Sequence, residues 1–176
     1  MIFTETGIPR AFIIAPERHE DERGFFTRVW CQRECEAQGM NPHFVQCNIS
    51  FNTRQGTLRG MHWQADPYGE AKLVRCTRGA IYDVIIDLRP DSATFKHHYA
   101  VILTAENYTM LYVPEGCAHG FLTLVDETEV FYQMSQFFHP ESQRGVRWND
   151  PAFGIHWIAD VQVVSSRDNS YPNFEG

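Results

Sequence analysis

The stretch GTLRGMHWQADPYGEAKLVRC, residues 56–76, reads as two strands, TLRGMHWQ and KLVRC, joined by a turn rich in Asp, Pro and Gly. Into those strands the chain sets Arg59, His62 and Lys72, a guanidinium, an imidazole and an ammonium in segments that otherwise build a core. Successive strand residues point to opposite faces, so strict alternation separates Arg59 from His62. A bulge resets that alternation, and glycine accepts the bend a bulge needs. The expectation is a β-bulge at Gly60 that aims Arg59 and His62 into one cavity.

Working outward, short apolar or alternating runs recur on both sides: AFIIAP, GFFTRVW, HFVQCNISF, AIYDVIIDLR, HHYAVILT, TMLYVP, HGFLTLV and TEVFYQMSQFF. Most close on Gly, Pro, Asn or Asp, and many short strands at close spacing mean a sandwich or barrel. Only residues 31–40, CQRECEAQGM, and the segment 104–108 have helical character, so there is no β-α-β alternation and no dinucleotide fold. The fold expected is all-β, a barrel with one or two short helices. At 176 residues the chain suits one domain, spanning 1–176. The tail from 159 to 176 reads as irregular and is expected to lie over the barrel surface.

Parity sorts the faces of two further strands. In AIYDVIIDL, Asp83 shares a face with Ile81 and Ile85, and a carboxylate on such a face must be paired or hydrogen-bonded. In TEVFYQM, Tyr132 shares its face with Val130 and Met134, which places its phenol inside.

A net charge of −7 argues against sequence-independent binding to nucleic acid, where phosphates must meet a basic surface. No run approaches the roughly 18 apolar residues that mark a membrane-crossing helix. Five cysteines, with no C-x-x-C pair and no signal-type opening, suggest reduced thiols and a cytoplasmic location.

The segment YVPEGCAHGF holds Pro114, Gly116 and His119 in the spacing P-x-G-x-x-H, which resembles the second motif of the cupin barrels. Metal cupins supply H-x-H and a Glu from their first motif; the matching place here reads His62-Trp63-Gln64, with Glu70 as a third possible ligand. One imidazole is missing, so no metal is expected, and the remaining His residues are available for acid–base work.

The segments DERGFF, FVQCNIS, LRGMHWQ, KLVRCTRGAIYDVIIDLR, LTAENYTMLYVPEGCAHGF, TEVFYQ and RGVRWNDPAFGIHW, in this order over nearly the whole chain, resemble the dTDP-4-dehydrorhamnose 3,5-epimerase family. The resemblance implies a cupin-type jelly roll that dimerises by strand exchange, needs no cofactor, and inverts carbons beside a 4-keto group of a nucleoside-diphosphate sugar. It implies His62 as the base, Lys72 as the cation at the keto oxygen, Asp168 as the partner orienting His62, and Tyr132 as the acid on the opposite face. It further assigns Arg59, His119, Gln46, Asn48, Gln143 and Arg167 to substrate binding, and Arg23 to the nucleotide phosphates, in the neighbouring subunit if the arm is exchanged. Asp83 is expected to hold His119 or Lys72 in place.

Several positions depart from the family pattern: Arg28 for Glu, Cys47 for Asp, Gln133 for Lys, Phe137-Phe138 for a Tyr pair, and Arg167 for the frequent Lys. The loss of a phenol at Phe138 leaves open inversion at one carbon or at both. A metal-dependent cupin enzyme and a non-catalytic sugar-binding cupin are the alternatives outside this class.

Overall fold

The run AIYDVIID is apolar at both parities, so both of its faces need cover. A computed structural model, describing residues 1–175, shows how the chain provides it. In chain order the strands are β1 (Ile2–Glu5), β2 (Phe12–Ala15), β3 (Arg18–Asp21), β4 (Gly24–Thr27), β5 (Gln46–Asn52), β6 (Thr57–Gln64), β7 (Lys72–Arg78), β8 (Ala80–Asp87), β9 (His98–Thr104), β10 (Met110–Val113), β11 (Cys117–Thr123), β12 (Thr128–Met134), β13 (Gln143–Gly145) and β14 (Val163–Val164). The helices α1 (Gln32–Ala37) and α2 (Ser166–Ser170) are short, and a 3-10 turn covers Pro140–Ser142.

One sheet runs β1-β2-β10-β7-β12-β5; the other runs β13-β6-β11-β8-β9, with β14 added alongside β6. Between them lies a core to which β7, β10 and β12 send Val74, Cys76, Leu111, Val113 and Val130. From the other side β8, β9 and β11 send Ile81, Ile85, Leu103, Cys117 and Phe121. The outer faces are covered as well. Cys35 and Met40, on and after α1, pack on Phe12, Leu73 and Tyr112, while Phe153, Val146 and Trp157 pack on Met61, Val84 and Ile86. Each such aliphatic side chain removed from water contributes about 1.5–3 kcal/mol.

The expected all-β architecture is therefore what the chain adopts, with local corrections. In the segment 104–108 Thr104 closes β9 and residues 105–107 form a turn rather than a helix, because the Asn107 side-chain Oδ1 accepts from the backbone N–H groups of Thr104 (3.2 Å) and Thr109 (2.9 Å). A side chain that satisfies its own loop in this way competes with helix formation. The helix in 31–40 stops at Ala37, where Gly39 takes φ +69° and the N–H groups of Gln38 and Met40 return to the Cys35 carbonyl. The tail is more regular than its sequence suggests. β14 pairs in parallel with β6, and α2 follows with Ser165 as its cap, its hydroxyl accepting from the Asp168 N–H at 3.0 Å.

β3 and β4 form a hairpin hydrogen-bonded to neither large sheet. Its four-residue strands are exposed almost throughout, and Phe26 is 71% exposed. Arg18 lies over the rings of Phe25 and Tyr108, 4.8 Å from each centroid, which ties the hairpin base to the turn before β10.

Candidate active site

The expected bulge is present. Opposite β6 on β11, His119 faces His62 and Phe121 faces Arg59, so two steps along β11 match three along β6. Gly60, at φ +127°, sits within the extra step, and a Cβ there would lie 2.5 Å from Gly120 Cα and 2.9 Å from the His119 carbonyl oxygen. Any side chain at 60 would prise β6 from β11. With the alternation reset, Arg59 and His62 both line one cavity of about 820 Å³, while Met61 turns to the opposite face and is fully buried.

His62 and His119, opposite one another on neighbouring strands, each bind a carboxylate. His62 Nε2 is 2.7 Å from Asp168 Oδ1, and His119 Nε2 is 2.6 Å from Asp83 Oδ1. Asp83 comes from β8 in the same sheet and Asp168 from α2 in the C-terminal segment. Burial alone would push the Asp168 carboxyl up. The His62 ring, the Gly60 N–H and the Ser165 hydroxyl outweigh it and hold Asp168 below its ordinary value. An ionised Asp168 accepts the Nε2 hydrogen of His62, which leaves the lone pair on Nδ1.

Lys72 enters from β7 in the other sheet, with Nζ 2.6 Å from Glu70 Oε1 and 3.4 Å from the His62 carbonyl oxygen. Tyr132 enters from β12. Burial pushes its phenol up, Glu70 adds to the rise and Arg59 opposes it, so Tyr132 holds its proton near neutrality.

The remaining cavity wall includes Gln46, Asn48, Arg59, His119, Gln143, Arg167 and Phe138. Gln46 Nε2 donates to Asn48 Oδ1 (3.0 Å), and Arg59 Nε donates to Asn52 Oδ1 (2.7 Å), which orients both groups. Asp83 lies behind His119, fully buried. Arg23 is the exception among the residues singled out from the sequence. At the tip of the β3–β4 hairpin it pairs with Asp21 at 2.5 Å and stays 84% exposed, outside the cavity lining of its own chain. The hairpin projects it outward because the turn residues pair among themselves.

Two roles were missed. Glu70, read as a possible metal ligand, spends Oε1 on Lys72, is 6% exposed, and leaves Oε2 without a partner. The signal was its spacing: Glu70 and Lys72 are two apart in extended chain and so share a side. Gln64, in the place of the missing imidazole, is a brace. Its Nε2 donates to the carbonyls of Tyr68 (3.0 Å) and Phe137 (3.1 Å), and its Oε1 accepts from the His139 N–H (2.6 Å).

Two packed sheets, antiparallel but for the added β14, enclosing a cavity with an imidazole–carboxylate pair, an ammonium and a phenol define a cupin-like jelly roll with groups suited to proton transfer. The family model for dTDP-4-dehydrorhamnose 3,5-epimerase matches residues 5–176. The enzyme of that name from Shigella flexneri is 42% identical over 93% of this chain and 91% of its own length. The solved structure of the Elizabethkingia anophelis dTDP-4-dehydrorhamnose 3,5-epimerase superposes with TM-score 0.96 at 38% identity, covering 99% of this chain and 96% of that one. The Bacillus anthracis enzyme, crystallised with TDP and PPi bound, gives TM-score 0.93 at 40% identity over 98% and 99% of the two chains. This chain belongs to the dTDP-4-dehydrorhamnose 3,5-epimerase family.

Proposed function

We propose that the protein epimerises a dTDP-linked 4-keto-6-deoxyhexose at carbons flanking the ketone. The observation that carries the chemistry is that His62 and Tyr132 reach one cavity from facing sheets, β6 and β12. His62 takes the proton from a carbon next to the ketone, and the C–H electron pair moves into an enolate whose oxygen meets the Lys72 ammonium. Tyr132 then returns a proton to the other face of that carbon, and its configuration inverts. Asp168 keeps the imidazole in the tautomer that accepts the proton and stabilises the imidazolium once formed. Arg59, Arg167, Gln46, Asn48, Gln143 and His119 bind the substrate, with Arg59 at the pyrophosphate; Asp83 fixes His119. The Bacillus relative's bound TDP and PPi support a thymidine diphosphate carrier. A second reading, inversion at one carbon only, draws on Phe138, which lines the cavity without a phenolic hydroxyl.

The reading extends to assembly and location. The residues form one domain, and a homodimer made by exchange of the N-terminal arm would give Arg23 a nucleotide to meet. The exposed β3–β4 hairpin and the outward Ile49 and Phe51 on edge strand β5 support a pairing surface. Among the described residues no helix is long and apolar enough to cross a membrane. All five cysteines are unpaired, which supports the cytoplasm as the working compartment.

Solvent deuterium incorporation into dTDP-4-keto-6-deoxyglucose, resolved by carbon, tests the function. Label at C3 and C5 is the expected result. Label at one carbon selects the single-inversion reading, and none at either removes the epimerase.

A further inference from the structure

Behind the His62–Asp168 pair lies a contact that no role above accounts for. Tyr171, the residue that closes α2, sets its ring edge-on to the His62 imidazole, with centroids 6.1 Å apart and planes at 66°. It also packs on Gly145, on β13, the direct partner of His62 on β6. A Cβ on Gly145 would collide with the hydroxyl end of the Tyr171 ring, 2.2 Å from Cζ, 2.3 Å from Cε2 and 2.7 Å from the hydroxyl oxygen. Gly145 shows no positive φ. Glycine is needed there for the space the ring occupies, not for the backbone. The hydroxyl at that end of the ring is tethered in turn, accepting from Arg167 Nε at 3.1 Å.

We infer that Tyr171, seated on Gly145, is a positioning residue that docks the C-terminal segment so that Asp168 and Arg167 reach the site together. The carboxylate that orients His62 and the cation that lines the cavity both sit on α2. A helix of five residues has too little hydrogen bonding of its own to fix its place, so its position depends on what it packs against. Besides the His62–Asp168 bond itself, the contacts that hold the segment near β6 include the β14 pairing, the Gly60 N–H donated to Asp168 Oδ2 at 3.3 Å, and the Tyr171 ring on Gly145. The ring meets the His62 imidazole edge-on and, through its hydroxyl, holds Arg167 as well. The ring and its hydroxyl therefore do separable work. The ring face fixes Asp168 against His62, and the hydroxyl fixes Arg167.

This inference rests on His62 being the base, and the test keeps the two apart. Gly145→Ala should displace the ring and lower kcat by about 10²-fold, since a misplacement near 1 Å costs that much. Tyr171→Ala should lower kcat about tenfold by loosening the same contact. The double variant should be no slower than Tyr171→Ala alone, because the ring that an alanine at 145 strikes is gone. Tyr171→Phe keeps the ring and loses the hydroxyl, so KM should rise several-fold more than kcat falls. Hydrogen exchange at the Gly60 amide, which donates to Asp168, should quicken in Gly145→Ala and stay slow in Tyr171→Phe. If the two alanine effects multiply, or if Gly145→Ala folds and turns over like the parent, the positioning role is overturned. A His62→Asn variant run beside them reports on the base. If it keeps turnover, the failure belongs to the functional reading and not to Tyr171.

Discussion

The molecule builds the same chemical pair twice, side by side, and to different standards. His62 with Asp168 and His119 with Asp83 sit opposite each other on β6 and β11, at 2.7 and 2.6 Å. In the second pair the side chains are 10% and 0% exposed, and the carboxylate belongs to a neighbouring strand of the same sheet. In the first they are 26% and 7% exposed, and the carboxylate arrives from the C-terminal segment. A pair locked within one sheet can hold a side chain in place, but it has little room to exchange a proton with a ligand. A pair with one accessible imidazole and a carboxylate from a separate element can do both. On the proposed function, the exposed ring carries the chemistry and the buried one the stability.

The first way to break this contrast is His62→Asn. The amide can still donate to Asp168 but cannot take a proton, so turnover should fall by about 10²–10⁴-fold or more while stability changes by less than about 1 kcal/mol. Deuterium exchange and a urea melt on the same preparation check both halves; retained turnover would remove His62 from the base role.

Asp168→Asn should follow with a loss on the order of 10²-fold in kcat, as the imidazole loses its orienting anion. The variant also has a signature in acid. Because the folded Asp168 carboxyl lies below its ordinary value, it contributes stability that is complete above the unfolded carboxylate value and lost as pH falls through the folded one. Urea midpoints of the parent should drop through that window, and those of Asp168→Asn should drop less. Parallel curves would show that the carboxylate adds nothing to the fold.

His119→Ala should show the opposite balance. It strands Asp83, whose second oxygen already lacks a partner, in a site with no exposure. Removing one member of such a buried pair costs about 3 kcal/mol or more. The midpoint should fall further than in either variant above, and a melt unchanged by the substitution would mean the buried pair carries no load. The smallest effect belongs to Phe138→Tyr. One added hydrogen bond is worth about 0.5–1.5 kcal/mol, or roughly 2–10-fold in rate. Label at C5 should speed relative to C3, and equal early labelling of both carbons in the parent protein would detach position 138 from the outcome.

How much of this was readable beforehand follows from how each residue is placed. The Gly60 bulge and the inward Asp83 came from period-two parity alone, because each lies in a strand long enough for alternation to be visible. The pairing of Asp83 with His119 rather than Lys72 could not come from parity, since it depends on which strands become neighbours. Asp168 was reached only through family resemblance: a two-residue strand and a five-residue helix leave no period to read. Glu70 was in plain view two residues before Lys72, but its motif position drew attention to metal binding instead. Tyr171 and Gly145 lie far enough apart in sequence that only the folded chain shows the ring on the glycine.

The delivery of Asp168 by the C-terminal segment also sets an order in time. Both sheets, apart from β14, are complete in the chain by Gly145, so the cavity walls they supply precede in synthesis the segment that carries Arg167 and Asp168. Domains fold as they emerge, at a synthesis rate of about 5–20 residues per second. A nascent chain of this protein passes through a stage in which the barrel can close around an imidazole that has not met its acid. If His62 is the base, reactivity waits on β14 and α2, which follow the other strands in the chain.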